Sequence, residues 1–369
     1  MDRKKLGNLN REKFGVILPI TLLSYFLILM DNSIIFTSSA QIGESLGLSA
    51  SALSWVSSAY TLTFGGFLLL SGRLSDLLGR KRIFLIGLLI FGFSSLMIGL
   101  SKTAEMVIIM RAVQGIGSSI IAPTTLALIM DAYQNNMRQR AISYYGATAG
   151  IGSSIGLLVG GGLTSLISWR AGFLINVPFT LVLFILTLKY VKSSARRKET
   201  IDYLGSLLSI IGLVGIIYGF TEGIFSFIVV GIIFIFLFIL WERKNSSPIL
   251  PLALFQNKIR SGAYATRLLF MMAMLPFWFF LPQMMQSQYG FSALESGFAF
   301  LPLTIVNFII AMQLPKLTGK FGNNRVLLIG EIILAIGLIL LAISNPVNGY
   351  WQTVFVPMII LGLGQGLIL

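Results

Sequence analysis

The sequence predicts an all-α integral membrane protein, and three observations carry that prediction. Of 369 residues, 56% are hydrophobic and 11% charged, less than half the charge of about 25% usual in soluble domains; mean hydropathy is +0.87. Apolar runs of about 17–25 residues recur, long enough to cross a hydrocarbon layer of about 30 Å as helices. The charge is lopsided, 27 Lys+Arg against 13 Asp+Glu, and the basic residues punctuate the apolar runs.

Twelve spans follow in order, over 14–36, 53–71, 83–101, 106–130, 141–164, 169–190, 203–220, 224–241, 261–284, 294–315, 326–343 and 351–369. The first begins after Arg3, Lys4, Lys5, Arg11 and Lys13 and is too long for the apolar core of a cleavable signal. Basic residues then gather in every second loop. These are Arg73, Arg80, Lys81 and Arg82; Arg138 and Arg140; Lys189, Lys192, Arg196, Arg197 and Lys198; Arg243, Lys244, Lys258 and Arg260; and Lys316, Lys320 and Arg325. With the N-terminus these make 23 of the 27, whereas the intervening loops hold only Lys102 and Arg170. The positive-inside rule puts the N-terminus and the even loops in the cytoplasm of a cell whose plasma or inner membrane the chain crosses repeatedly. The +14 charge is thereby an address rather than a nucleic-acid footprint.

Histidine and cysteine are both absent, which removes disulfides, thiol nucleophiles and histidine-based metal or proton sites. The scattered acids assemble no catalytic or metal constellation, and no Gly-rich phosphate loop with Lys occurs. The sequence therefore predicts no enzyme, no metal and no cofactor. Any proton chemistry falls to carboxylates.

The second loop, Gly72-Arg-Leu-Ser-Asp-Leu-Leu-Gly-Arg-Lys-Arg82, has an echo in Pro315-Lys-Leu-Thr-Gly-Lys-Phe-Gly-Asn-Asn-Arg325 between spans ten and eleven. Gln114-Gly-Ile-Gly117 of span four is likewise echoed by Gly362-Leu-Gly-Gln-Gly366 of span twelve. Such repetition implies two related halves. Spans seven and eight are then an insertion, and counterparts of spans five and six are expected beyond Leu369. The units are 1–190, a six-span bundle; 191–258, the inserted pair with its flanking loops; and 259–369, four spans of a second bundle.

These motifs resemble the major facilitator superfamily, and within it the fourteen-spanner drug:proton antiporters. Gly72-x-Leu74-x-Asp76-x-x-Gly79-Arg80-Lys81 is similar to the family signature between spans two and three. Arg111-x-x-Gln114-Gly115-x-Gly117 resembles its span-four motif, and Gly152-x3-Gly156-x3-Gly160-Gly161 its antiporter motif. Leu29-Met-Asp31, Trp169-Arg170 with Asn176-x-Pro178, and Asp202-x-x-Gly205 resemble further motifs in order along the chain. The chain departs from the pattern at Leu157, where the family has Pro, and at Ser39-Ala40-Gln41. The resemblance implies a major facilitator fold with twelve of fourteen helices. It also implies proton-coupled export of small lipophilic or cationic compounds by alternating access, as in multidrug efflux and antibiotic resistance, by a monomer. A carrier of metabolites or nutrients on the same scaffold, a truncated inactive form and a membrane-embedded transferase are the alternatives.

Asp31 is the sharpest candidate, because a carboxylate in the bilayer core costs about 2.5–3.5 kcal/mol on insertion scales and requires a cavity or a partner. By helix rise it lies about 25 Å from the inner surface, and Arg111, entering from the other side, about 21 Å. Opposite charges at similar depth predict a pair, with Asp31 exchanging a proton and Arg111 tuning it; a static structural pair is the competing reading. The family's charge relay implies a conformational switch in which Gly72 and Gly79 shape the loop and Arg80 bridges Asp76 and Asp131. Gly152, Gly156, Gly160 and Gly161 supply small residues for close helix packing. Tyr25, Trp55, Tyr60 and Trp278 are candidate walls of a substrate cavity.

Overall fold

The computed structural model describes residues 14–193 and 202–368; the basic residues of 1–13 and 196–198 that entered the topology argument lie outside the described residues. The first half consists of α1 (Ile17–Leu46), α2 (Ala50–Leu78), α3 (Arg80–Gly99), α4 (Ala104–Ala132), α5 (Asn135–Leu166) and a sixth span broken into α6 (Trp169–Leu174) and α7 (Asn176–Tyr190). The inserted pair is α8 (Tyr203–Glu222) and α9 (Phe225–Lys244). The second half contains α10 (Lys258–Tyr289), α11 (Ala293–Ala299) running on into α12 (Leu301–Phe321), α13 (Asn323–Ile343) and α14 (Val356–Ile368), the last entered through a π-helical turn over Trp351–Phe355. Among the described residues there is no strand.

Among the described residues, eleven helices are long and apolar enough to cross a membrane. α5 (Asn135–Leu166) carries the fifth span, with its motif glycines Gly152, Gly156 and Gly160 turned to α1. α1 outruns its predicted end at residue 36: Thr37, Ser38 and Ser39 continue the helix fully buried. Thr37 Oγ1 donates to Ile34 O, and Ser38 Oγ lies 2.6 Å from Thr164 Oγ1 of α5. Hydropathy treats such residues as water-facing, although the Thr37 and Ser38 hydroxyls find partners inside the protein. Pro178 explains the break in the sixth span, since it lacks an N–H and clashes with the carbonyl four residues back. The chain accordingly restarts at Asn176.

The repeat is visible in the caps. Gly47 closes α1 at φ 60° and Ser49 caps α2; Gly290 closes α10 at φ 68° and Ser292 caps α11. Gly79 joins α2 to α3 at φ 96°, and Gly322 joins α12 to α13 at φ 82°. Only glycine enters this region at low cost, so these two corners of the second half reuse the devices of the first.

The end of the bundle where α1 begins and α2 meets α3 carries the basic loops; we call it the basic end. The two halves meet at the opposite end. There the backbone O of Ala293 on α11 lies 2.5 Å from the Cβ position of Gly161, and Leu157 O meets that of Gly297. Gln286 Nε2 donates to Thr37 O at 3.2 Å and Leu294 N to Ser165 Oγ at 3.1 Å.

The inserted pair packs on α2 of the first half. Trp55, a candidate cavity wall, instead donates its indole N–H to Glu222 at the end of α8 and packs against Tyr218. At the basic end, Asp202 caps α8 by accepting from Gly205 N at 2.8 Å, and also receives Trp241 Nε1 at 2.9 Å and Asn245 Nδ2 at 2.6 Å. Burial pushes the Asp202 carboxyl up, but these donors together outweigh it and hold the group below its ordinary value. A carboxyl lowered by folding adds stability that is present above its unfolded value and lost as pH falls through the folded one. Amide protection factors at 203–206 and 241–245 are expected to fall as pH drops below the usual carboxylate range. An Asp202→Asn variant should show no such step.

Candidate functional site

The core of the first half contains a closed polar network. Asp31 of α1 and Arg111 of α4 are fully buried, at 0% and 1% exposure. Arg111 Nη1 donates to Asp31 Oδ2 at 2.7 Å and to Gln114 Oε1 at 2.7 Å, while its Nε donates to Val56 O at 3.1 Å. Asp31 Oδ1 accepts from Gln114 Nε2 at 2.9 Å and from Asn176 Nδ2 at 2.7 Å. Both amides also reach Ser95 Oγ, at 2.7 Å and 3.2 Å. The guanidinium carbon stands 4.3 Å from the ring centre of Tyr60, a cation–π contact. The Tyr60 hydroxyl accepts from Asn32 at 3.3 Å.

Five helices build this site. α4 seats Arg111 and Gln114 one turn apart on a single face and is wedged between α2 and α3 by its glycines. A Cβ at Gly115 would strike Tyr60 O and Thr63 of α2, and one at Gly117 would lie 2.7 Å from Phe91 N of α3. The break before α7 delivers Asn176. Ser95 and Asn176 were not singled out as site residues by the sequence. The available signal was depth, since Asn176 lies seven residues into its span and Arg111 similarly far into its own. Tyr60, a candidate cavity wall, is 3% exposed and serves as the platform under Arg111.

At the basic end, Arg80 opens α3 immediately after Gly79. Its Nη2 lies 3.2 Å from Asp76 Oδ1, its Nη1 2.5 Å from Asp131 Oδ1, and it also donates to Ala127 O. One guanidinium therefore ties the end of α2 to the end of α4. A crevice of about 490 Å³ opens beside it, with Asp76, Arg80, Asp131 and Lys192 in its lining. Gly72 lies nearby, its Cβ position 3.9 Å from Pro123 of α4.

Along α5 the four motif glycines divide their work. Gly152 meets Leu29, Gly156 meets Met30 and Ser33, and Gly160 meets Ile34 and Thr37, all on α1; Gly161 alone of the four faces α11 in the second half. Of the remaining candidates, Tyr25 stacks on Tyr145 with ring centres 4.1 Å apart, and Trp278 stacks on Phe300 at 5.1 Å. Tyr25, Trp55, Tyr60 and Trp278 thus each pack on a different partner: Tyr145, Tyr218, Arg111 and Phe300. No group of His, Cys, Asp and Glu that could hold a metal occurs among the described residues.

The family model described as Major Facilitator Superfamily matches residues 21–369. A puromycin resistance protein of Streptomyces alboniger is 32% identical over 95% of this chain and 72% of its own length. Multidrug resistance protein 3 of Bacillus subtilis is 33% identical over 94% and 69%. A cephamycin export protein of Amycolatopsis lactamdurans is 29% identical over 94% and 74%. The chain thus spans about two thirds to three quarters of the length of these relatives. Among solved structures, a D-xylose–proton symporter superposes with a TM-score of 0.68 at 14% identity, covering 95% of this chain and 79% of that one. The human organic anion transporter MFSD10 superposes at 0.64 and 13% identity, covering 95% and 83%. Matched across nearly all its length and sharing the fold, this membrane transporter belongs to the major facilitator superfamily.

Proposed function

We propose that the chain exports small lipophilic or cationic compounds in exchange for protons. It works by alternating access as a monomer in the cell membrane, with its N-terminus and basic end in the cytoplasm. The relatives' names, which speak of antibiotic resistance and drug export, support the class of cargo. The basic loops support the orientation. The observation that carries the coupling is Asp31, a wholly buried carboxylate held by one guanidinium and two amides.

In this reading a proton reaching Asp31 cancels its charge and releases Arg111 to its other acceptors, Gln114 Oε1 and Val56 O. Both remain within reach without a new partner. Because α1 is the helix that α5 and the second half rest on, a change at Asp31 is felt where the halves meet. Arg80, with Asp76 and Asp131, acts as the switch at the basic end, and Gly161 marks the sliding contact at the other.

The test is drug uptake into proteoliposomes driven by an imposed pH gradient. The parent chain is expected to respond to the gradient. Asp31→Asn keeps the shape of the side chain but cannot ionise, and should abolish the gradient-driven component while leaving substrate binding measurable. Unchanged pH-driven transport in Asp31→Asn would refute the proton role.

A further inference from the structure

A second crevice, of about 960 Å³, opens at the basic end between α2, the inserted pair and the chain leaving α9. The pair itself is tightly closed, since the Cβ positions of Gly212 and Gly219 on α8 lie 2.7 and 2.6 Å from Ile235 and Ile228 of α9. The space therefore lies beside the pair rather than within it. Three helices carry its inner wall to the same depth. Leu69 stands nine residues before the end of α2, Leu213 ten residues after the start of α8, and Ile235 nine residues before the end of α9. At about 1.5 Å per residue each lies about 14–15 Å from the basic end, half of a hydrocarbon layer of about 30 Å. The crevice is one leaflet deep.

Its chemistry divides by depth. The deep wall is Leu69, Leu213, Ile235, Phe238 and Ile239, and the Ser209 hydroxyl among them is spent on Ser206 O at 2.9 Å. The outer wall comes from residues 248–255, a stretch with no charged side chain. Glu242 is the one acid of the lining; it is 3% exposed, and its two oxygens accept the amides of Ile249 and Leu250. The rim is cationic. Arg243 is exposed at the mouth, Lys244 follows it, and Lys258 and Arg260 lie in the first turn of α10. Among the described residues, none of these four enters an ion pair.

We propose that this crevice holds an anionic phospholipid of the leaflet at the basic end, with an acyl chain against α2 and the inserted pair and its phosphate at Arg243. Basic pockets between membrane helices take such headgroups, and the apolar slot has the depth of one acyl layer. A lipophilic cation is the wrong occupant. It would meet Arg243 at the mouth, and the only carboxylate in the wall is buried and turned to two backbone amides. A zwitterionic lipid fits the slot but leaves the excess positive charge of the rim unanswered. So placed, the lipid braces the loop that leads to α10 against the first half. The site requires neither proton coupling nor a particular cargo.

The full chain is reconstituted with phosphatidylglycerol and phosphatidylcholine of the same acyl chains in equal amounts, extracted in detergent, and its retained lipid counted by native mass spectrometry. Retention of one phosphatidylglycerol per chain, in preference to phosphatidylcholine, is expected. Arg243→Gln with Lys244→Gln, both exposed positions, should lower that retention at least about fivefold, the worth of one basic residue beside an anionic lipid surface. Arg325→Gln, at the start of α13, is the matched control and should leave it unchanged. Leu213→Trp keeps every charge but fills the slot, and should lose the lipid as well. Equal retention of the two lipids overturns the proposal. So does phosphatidylglycerol retention that is unchanged in Arg243→Gln with Lys244→Gln or in Leu213→Trp. Displacement of the bound lipid by ethidium would also overturn it, by making the crevice a cargo site.

Discussion

Arg111→Ala is expected to cost about 3–5 kcal/mol of stability, the range seen when one partner of a buried ion pair is removed. The loss would appear as a large drop in unfolding midpoint of the detergent-solubilised protein. Truncation strands Asp31 at 0% exposure, leaves Val56 O and Gln114 Oε1 without their donor, and removes the cation from the Tyr60 face. Arg111→Lys should recover only part of this, because an ammonium cannot reach the Asp31 carboxylate, the Gln114 amide and the Val56 carbonyl from one rigid fork. The more discriminating variant replaces both charges. Asp31→Met with Arg111→Met removes both charges and should recover part of the lost stability while abolishing transport, the remainder being the cost of Val56 O and the Gln114 and Asn176 amides left without their partners. Buried ion pairs exchanged for well-packed apolar groups are often neutral or stabilising. A double variant as unstable as Arg111→Ala would show that the surrounding amides, rather than the charges, fix the fold here.

Gly117→Ala is expected to cost about 1–3 kcal/mol, and Gly117→Leu more, through overpacking. The added Cβ would sit 2.7 Å from Phe91 N and 3.1 Å from Gly87 O. Both are backbone atoms of α3, which cannot swing aside as a side-chain tip can, so α4 itself must move. Because Gln114 and Arg111 ride on the same helix, the displacement should disturb the charge network as well as the stability. Gly146→Ala is the matched control. It lies on exposed α5 surface with nothing within 4 Å of its Cβ position, and alanine there should stabilise by up to about 1 kcal/mol through helix propensity alone. Opposite signs at the two glycines in a thermal-unfolding assay are the expected result.

The span count was legible because it depends on length and punctuation, which survive any detail of packing. The end of α1 was not. Thr37 and Ser38 face another helix, and a hydropathy window cannot distinguish a polar residue that meets protein from one that meets water. Depth arithmetic along two antiparallel helices placed Asp31 and Arg111 at the same level. It could not say which faces of α1 and α4 are turned together, and the structure shows them 2.7 Å apart. Asn176 escaped because its position depends on the break Pro178 creates. Trp55 was read as a cavity wall because an aromatic residue near a span end looks alike whether it faces a ligand or another helix. Its bond to Glu222 requires knowing where the inserted pair docks.

That docking has a mechanical corollary. α8 is fastened to α2, and α9 is fastened to the start of α8 through Asp202. The strand of chain leaving α9 is also pinned, because Glu242 accepts the amides of Ile249 at 3.3 Å and Leu250 at 2.8 Å. The inserted pair is therefore luggage of the first half, and the only slack between it and α10 runs from Pro251 to Asn257. Fully stretched, that leash reaches about 24 Å, and part of it is wound up in the 3-10 turn over Leu252–Phe255. Its length sets an upper bound on how far the basic ends of the two halves can swing apart.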